Sequence, residues 1–598
     1  MLTDFFAAIS FYLIPYLTGR FFTRKTFLAW IIGAFLWFPL YFIVSFIALK
    51  TGNFSLIIRY LAIGVSLLSV LNILRQFLKE RPKLDLKEIA PYTFLVLFTA
   101  GVYFLIWKRS TPYPLQLNWD IYEHITLSNL ISQGRLSAFT TNISDTFTFN
   151  SYSPLFGILL SLPKIIFQRS LIGIYWWLEY WQYLLTAIAS YLLAKRIFKD
   201  RSLAIFSAVL SSLTFESVVA YTVFFLIPQT LAVLIAVLAA YELMDYKKIF
   251  LLITAIVIFL MHYIVGPLCL VFLVCLYLAP RVPLSLKRLN LLITAAILFL
   301  AGALGLHFLG RWNILSIEEA SHFDFTIYQK AGFILDWYGI FLAFALIGIF
   351  AILRNKSYSQ KIFLILALGV FGISFAPFSY FLKFYVLGHY LTNVIIVAGI
   401  AFLVSNFSKV LKTVSFIFLT LVMLLTFYNN QLMYKGPLHF QNYVTQISYG
   451  ELQAAAWLSS HNKNGNDFLI SDPSLQYILE ANSGVDTQGG VYTNLNTRKA
   501  LESINGSYNT QFIKSELLSI KDSLPKDQNL NRKVLFAVGG RYFAWQELPQ
   551  SQKESSFYNI WAPKDITSTE QNYINFLKNS KQFKLLYENR QIAIFEVI

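Results

Sequence analysis

Apolar runs of about 20 residues recur along this chain and constrain its fold more than any other feature of the sequence. A transmembrane α-helix needs about 20 mainly apolar residues, because each residue rises about 1.5 Å across a hydrocarbon core about 30 Å thick. We therefore predict a polytopic α-helical membrane protein with about 14 transmembrane helices. The runs lie near residues 5–18, 27–49, 55–75, 91–107, 171–194, 203–222, 224–243, 249–263, 265–279, 290–309, 338–353, 361–381, 386–405 and 411–428.

The composition agrees with that of a membrane protein. Of its 598 residues, 57% are hydrophobic and only 13% are charged, whereas about a quarter of the residues of a soluble domain are charged. The net charge of +17 comes from short basic clusters between the apolar runs. These clusters form no continuous stripe of the kind that binds nucleic acid.

The basic clusters also predict the topology. If the spans simply alternate, every cluster falls on one side of the membrane, which the positive-inside rule makes the cytoplasmic side. The long loops 108–170 and 310–337 and the region after Tyr428 then lie on the other side. Because long loops of compact proteins are usually functional or disordered, we expect the chemistry on that face. We expect a plasma-membrane protein with an extracytoplasmic C-terminal region.

The sequence changes to a soluble pattern after Asn429, with Gly, Asn, Ser and charged residues interleaved. Residues 451–458 predict a helix, and residues 468–471 and 533–538 predict buried strands. Residues 583–587 and 591–597 alternate around a turn and predict a hairpin. We therefore predict a small C-terminal α/β soluble domain, residues 431–598, which we call the tail.

The most informative stretch follows the fourth apolar run, at residues 116–136. Its apolar residues recur at helical spacing and predict an amphipathic helix at the membrane surface. Asp120 and His124 share a face of that helix because they are four residues apart, and Glu123 lies beside them. Such a group can act as a base or hold a divalent metal. The alternative is that Asp120 caps the helix while His124 is solvated, and spacing alone does not decide between them.

The pattern W-D-x-Y-x-H at residues 119–124, followed by a helix and Gly134, resembles the first external loop of GT-C-type membrane glycosyltransferases. The resemblance runs from about residue 91 to the end, and its span count and tail resemble those of archaeal and bacterial oligosaccharyltransferase-like proteins. Further matches are Tyr152-Ser153-Pro154-Leu155, Pro228-Gln229-Thr230-Leu231-Ala232, Met261-His262-Tyr263, the tail helix at 451–458 and the closing hairpin.

The resemblance implies a division of the chain and a set of site residues. Residues 1–85 are then accessory N-terminal transmembrane helices, and residues 86–430 form a GT-C-like catalytic core. Asp120 is implied as the catalytic base or a ligand of a divalent metal, Mg or Mn. The other candidates are Glu216, Glu123 and His124 as a second acid or metal ligands; Lys383, His262 and His389 for the donor phosphate; and Glu318, Glu319, Asp324 and Asp336 in a loop that closes over the acceptor.

Each of these assignments has a simpler alternative. Glu216 is equally typical of a solvated interfacial residue. Lys383 is typical of a lysine at the membrane interface whose ammonium group extends into water. His262 is typical of a polar residue packed inside the protein. The acidic loop around residues 310–337 is also typical of a solvated surface.

The W-W-D-Y-G motif by which oligosaccharyltransferases recognise their acceptor is absent from the tail. Its absence favours transfer of a single sugar over transfer of a whole glycan to asparagine. Together with the resemblance, which implies a polyprenyl-phosphate-linked donor, this gives the expectation of transfer with inversion to an extracytoplasmic lipid, polysaccharide or protein. One alternative is an oligosaccharyltransferase or polymer ligase that uses a diphosphate-linked glycan. Alternatives of other classes are a transporter or flippase of a lipid-linked saccharide and a non-catalytic sensor whose tail binds a ligand.

Overall fold

The structure is a computed structural model. It describes residues 2–51, 53–80, 86–108, 115–134, 142–144, 147–148, 154–214, 226–242, 248–262, 265–278, 285, 327–355, 357–375, 381–434, 444–462, 467–487, 495–504, 506–522, 532–548 and 563–598. The apolar run predicted at 290–309 lies outside these residues.

Helices make up the first part of the chain, and their bounds follow the predicted spans closely. Seven described helices are long and apolar enough to cross a membrane, and six shorter ones are also apolar. The prediction of a helical membrane protein is therefore confirmed, while the total of about 14 spans stays a prediction. The first helices are α1 (Leu2–Gly19), α2 (Thr26–Thr51), α3 (Phe54–Glu80) and α4 (Leu86–Ala100), which continues as a π-helical stretch, Gly101–Lys108.

The predicted external loop follows α4 and contains short strands and two helices. Its elements are β1 (Leu115–Asn118), α5 (Trp119–Ser132), β2 (Asn142–Ser144), β3 (Phe147–Thr148) and α6 (Pro154–Phe167). The remaining helices of the core are α7 (Leu171–Phe198), α8 (Arg201–Leu213), α9 (Pro228–Glu242), α10 (Lys248–Met261), α11 (Val265–Leu278), α12 (Ile327–Tyr338), α13 (Phe341–Arg354), α14 (Tyr358–Phe375), α15 (Phe381–Leu403) and α16 (Lys409–Tyr434).

Small residues let two of these helices touch along their backbones. On α13, a side chain at Gly348 would collide with the backbone of α15, and one at Gly399 of α15 would collide with the backbone of α13. Close backbone approach at glycine is a common means of packing helices in membranes, where no hydrophobic force drives them together. This contact fixes the position of α15, which carries Lys383 and His389.

The tail folds into a five-stranded mixed sheet with helices. The strand order is β6-β5-β7-β9-β8, parallel between β6, β5 and β7 and antiparallel between β7, β9 and β8. The elements are β4 (Val444–Ile447), α17 (Tyr449–His461), β5 (Asp467–Ile470), α18 (Pro473–Ser483), β6 (Asp486–Thr487), α19 (Leu495–Ser503), α20 (Thr510–Asp522), β7 (Lys533–Gly539), α21 (Gly540–Gln546), α22 (Ser568–Lys578), β8 (Phe583–Glu588) and β9 (Ile592–Val597).

Local sequence signals explain where the tail helices begin. α17 starts with a capping box, in which Ser448 Oγ accepts from the amide of Glu451 at 3.1 Å and Glu451 Oε2 accepts from the amide of Ser448 at 2.9 Å. α18 starts with Asp472 as its N-cap and a proline at its first position, and it ends at Gly484, whose φ of 73° suits glycine. The predicted helix 451–458 and strand 533–538 lie within observed elements, and the predicted strand 468–471 and hairpin 583–587 and 591–597 match observed strands to within one residue.

A buried ion pair joins two helices of the tail. The Nε of Arg541, on α21, donates to Oε1 of Glu451, on α17, and Arg541 Nη2 lies 3.1 Å from Glu451 Oε2. Both side chains are only 2% exposed. Since Glu451 also accepts from the Ser448 amide, one carboxylate holds the start of α17 and the guanidinium of α21 together.

Candidate functional site

Asp120 lies in the first turn of α5, directly after strand β1. β1 ends at Asn118 and α5 begins at Trp119, so no connecting residue separates them. β1 pairs antiparallel with β4, and Asn118 lies opposite Val444. This strand pair places the start of α5 beside the tail. For Asp120 and Glu123 the structure describes the helical backbone alone.

α5 is buried, which makes the prediction of an amphipathic helix at the membrane surface wrong. The described side chains from Ile121 to Ser132 are buried, apart from the half-buried Leu130. α6 packs on this helix where Gly157 meets Leu127 and Ile131, and α18 of the tail also packs on it. Because neighbouring elements cover its polar face, polar side chains of α5 form hydrogen bonds with other protein groups. In a helix at the membrane surface, such side chains would form hydrogen bonds with water.

His124 is enclosed by α5 and α6. It is 3% exposed, and its ring lies edge-on to Phe156 with ring centroids 5.2 Å apart. Burial lowers the pKa of His124 to about 3, because the imidazolium loses its hydration. The alternative of a solvated His124 is therefore wrong. A neutral imidazole can bind a metal or form hydrogen bonds, but it brings no positive charge to a phosphate.

We expect His124 to stay neutral as the pH falls from 7 to 5. In the unfolded chain a histidine takes up a proton near pH 6.5, so the stability that His124 contributes is complete above that pH and is lost as the pH falls toward 3. Histidine-selective isotope labelling of the intact chain measures this directly, with the signal identified by its loss in His124→Gln. A protonation shift of that signal between pH 7 and pH 5 would contradict the buried, neutral assignment.

His262 lies within electrostatic range of both His124 and Lys383. It follows the last residue of α10, is 6% exposed and accepts a hydrogen bond on Nδ1 from the amide of Val265 at 3.2 Å. Lys383 lies in the first turn of α15 and is partly exposed. His262 therefore lies near two candidate residues that come from separate parts of the chain.

His389 lies deeper along α15 and bonds within the protein. Its Nδ1 is 3.2 Å from the hydroxyl of Tyr338, and its Nε2 is 3.1 Å from Asn393 Nδ2 and 3.2 Å from the carbonyl of Ser211. Six residues separate it from Lys383, which is about 9 Å of helix. These contacts tie α8, α12 and α15 together, and a role in phosphate binding stays a prediction.

Two buried groups near α5 were missed by the sequence reasoning. Glu179 of α7 is fully buried, and the Tyr103 hydroxyl lies 3.0 Å from its Oε2. Tyr122, two residues after Asp120, is also fully buried, and its hydroxyl has no hydrogen-bond partner among the described residues. Burial raises the pKa of Tyr122, which Arg541, Glu451 and Glu179 are near enough to influence. The signal for Glu179 was present, since an acid inside an apolar run is unusual.

The remaining candidates are not placed by the structure. Glu216, Glu318, Glu319 and Asp324 lie outside the described residues, and Asp336 lies on α12 with its side chain outside them. Within the part of the chain that is described, no group of three or more His, Cys, Asp or Glu residues could hold a metal ion. The roles of these acids therefore stay predictions.

Solved structures with a similar fold include three of an archaeal oligosaccharyltransferase from Archaeoglobus fulgidus. The enzyme AglB in complex with an inhibitory peptide and a dolichol-phosphate has 13% identity and a TM-score of 0.45, over 77% of this chain and 70% of that one. The apo form has 13% identity and a TM-score of 0.47, over 76% and 70%. The complex with Zn and sulfate has 12% identity and a TM-score of 0.45, over 76% and 69%.

These structures belong to the group that the sequence resembles. No protein-family model matches the sequence, and no curated protein matches it. With TM-scores below 0.5, the similarities assign neither an activity nor a site to this chain.

Proposed function

We propose that this chain is a membrane glycosyltransferase that transfers a sugar from a polyprenyl-phosphate-linked donor to an extracytoplasmic acceptor. The observation that carries the proposal is that His262 lies within electrostatic range of both Lys383 and His124, and that His124 lies one turn after Asp120 on α5. An acid that can take a proton and a cation that can bind a phosphate are the groups that such a reaction uses. The sequence resemblance around residues 119–124 supports the same function.

In the proposed reaction, a hydroxyl of the acceptor attacks the anomeric carbon from the face opposite the phosphate. The bond between that carbon and the phosphate oxygen breaks, so the configuration inverts and polyprenyl phosphate leaves. The carboxylate of Asp120 takes the proton of the attacking hydroxyl. The ammonium group of Lys383 binds the phosphate, whose negative charge grows as the bond breaks.

A divalent metal fits this residue set in part. The neutral imidazole of His124 is the form that binds a metal, and Asp120 lies one turn before it on α5. Glu123 and Glu216 are the further candidate ligands. When bound, such a metal would neutralise the phosphate of the donor.

The same proposal gives roles to the acidic loop, the tail and the first three helices. The loop around residues 310–337, with Glu318, Glu319, Asp324 and Asp336, closes over the acceptor, and the tail is an extracytoplasmic α/β domain. The first three helices, within residues 1–85, are accessory to the catalytic core 86–430. An oligosaccharyltransferase or polymer ligase differs from this proposal in its donor, a diphosphate-linked glycan, so donors of both kinds are to be compared with the purified chain.

Replacing Lys383 with Ala is expected to raise the KM for the donor about 10–100-fold with a smaller change in kcat, because a charge-assisted hydrogen bond contributes about 1.5–3 kcal/mol. The measurement is transfer of a radiolabelled sugar from polyprenyl phosphate by the purified chain in lipid. Lys409→Ala is the matched control, since Lys409 is exposed at the start of α16, on the predicted cytoplasmic side. An unchanged KM for the Lys383 variant removes this residue from the donor site, and failure of the wild-type chain to transfer any sugar refutes the proposed function.

A further inference from the structure

Helix α18 of the tail has two apolar faces that belong to different cores. Leu475 and Leu479 are buried in a cluster with residues of the tail sheet. Tyr477, Ile478 and Ala481 are buried in the large cluster formed by the membrane helices and α5. Leu475 and Leu479, four residues apart, lie on one side of the helix, and Tyr477 and Ala481, also four residues apart, lie on another, with Ile478 between the two sides. α18 therefore joins the tail to the membrane core.

The start of α18 is fixed to the tail by hydrogen bonds. Asp472 Oδ1 accepts from the amides of Ser474 and Leu475 at 3.1 Å and 3.0 Å. Ser471, just before it, donates from Oγ to the carbonyl of Ala537 in β7 at 2.8 Å. Ser471 is buried and bonds to β7, a central strand, and Asp472 beside it caps the first turn of α18, so the start of the helix is held on the sheet.

The end of α18 is bonded to α5 through one residue, Asn129. Its Nδ2 donates to the carbonyl of Ala481 at 2.9 Å, and its Oδ1 accepts from Lys164 Nζ of α6 at 2.6 Å. Ala481 lies in the last turn of α18, where carbonyl groups lack a partner within the helix. The amide of Asn129 supplies that missing donor, and the positive charge of Lys164 lies near the negative end of the helix dipole.

A second link holds the other end of α5. β1 runs directly into α5 and pairs with β4 of the tail, from Leu115 opposite Ile447 to Asn118 opposite Val444. The ring of Tyr122 in the first turn of α5 lies 6.4 Å from that of Tyr477 on α18. The tail thus contacts α5 at its start, where Asp120 lies, and again near its end.

We infer that the tail positions α5, and with it Asp120, and that Asn129 is the positioning residue through which α18 does so. The kinetic part of this inference rests on the proposed function, whereas the structural part does not. A displacement of about 1 Å at a reacting group can reduce a rate about 100-fold even when the altered residue is remote. Asn129 itself touches neither donor nor acceptor in this scheme.

The structure offers a matched control on the neighbouring residue of α18. Asn482 is also an asparagine whose Nδ2 donates to a carbonyl of α18, that of Ile478 at 2.6 Å, but this bond stays within its own helix. Asn482→Ala therefore removes a similar hydrogen bond without touching α5. Asn129→Gln keeps both the donor and the acceptor on a longer side chain and serves as the conservative variant.

The experiment measures amide hydrogen exchange of residues 119–132 in the intact chain in lipid, together with kcat and KM for sugar transfer. We expect Asn129→Ala to speed exchange across α5 about tenfold and to lower kcat about 10–100-fold with little change in KM. Asn129→Gln should recover part of both effects, and Asn482→Ala should leave α5 exchange and kcat unchanged. If Asn129→Ala fails to fold, Asn129→Asp takes its place, because it keeps the acceptor for Lys164 and loses the donor to the Ala481 carbonyl, and it should likewise speed exchange across α5.

The outcomes separate the two proposals. Unchanged exchange in α5 of the Asn129 variants overturns the inference whatever the activity. Faster exchange with unchanged kcat also overturns the inference, because loosening α5 would then have no effect on the reaction. If the wild-type chain transfers no sugar, the proposed function fails, and the exchange measurement still decides whether α18 holds α5 in place.

Discussion

Asp120→Asn is expected to lower kcat for sugar transfer about 10²–10⁴-fold, the range that a positioned general base contributes. Asn has nearly the same shape as Asp but cannot accept the proton of the attacking hydroxyl. Asp120 lies one residue past the start of α5 at Trp119, beyond the N-cap position, so the structure does not place it as the cap that the spacing allowed. Asn there should cost α5 at most about 1 kcal/mol, through the loss of a negative charge near the helix N-terminus. Transfer rates and thermal unfolding of the purified variant measure the two properties.

Asp200→Asn is the matched control for this experiment. Asp200 is the N-cap of α8, and its Oδ1 accepts from the amides of Ser202 and Leu203 at 2.8 Å and 3.0 Å. The same change at this helix start should leave the transfer rate unaltered. Turnover by Asp120→Asn at the wild-type rate would end the assignment of Asp120 as the base.

The second large effect is expected on stability, from the buried pair of Glu451 and Arg541. Arg541→Met should destabilise the tail by about 3–5 kcal/mol, because it leaves the Glu451 carboxylate buried without its cation. Adding Glu451→Gln should recover most of the loss, since Gln preserves the capping box with Ser448 and removes the buried charge. Hydrogen exchange of β5 and β7 in the intact chain, with and without denaturant, measures both variants.

An ion pair at the surface of the tail provides the comparison. Lys578 Nζ lies 2.7 Å from Glu588 Oε2, with the side chains 27% and 30% exposed. Lys578→Met should change the stability by less than about 1 kcal/mol, because water screens this pair. If Arg541→Met were no more destabilising than Lys578→Met, the buried pair would have no special part in holding α17 and α21 together.

The elements themselves could be predicted because they depend on local sequence. The apolar run at 386–405 lies mostly within α15, and the tail prediction at 533–538 lies within β7. The length of an apolar run that can cross a membrane depends on residues that are neighbours in the sequence, and so does the alternation of side chains along a strand. The position of Asp120 at the start of a helix was predictable for the same reason, and the structure places it in the first turn of α5.

The burial of α5 could not be predicted from its own residues. Its polar residues gave the pattern of a surface helix, but α6 and α18 cover that face. The partner of Asn129 is 352 residues away in the sequence, and Glu451 and Arg541 are 90 residues apart. The periodicity of apolar and polar residues along the chain carries no information about contacts between residues that are so far apart in the sequence.

The sequence by itself determined which segments are apolar enough for a membrane and that Asp120 lies near the start of a helix. Only the tertiary structure decided that His262, just after α10, lies within electrostatic range of both His124 and Lys383. It also decided that α18 buries one face in each of two cores. The physical reason is that local patterns fix the type of an element, whereas its burial and its contacts with distant side chains depend on how whole elements pack.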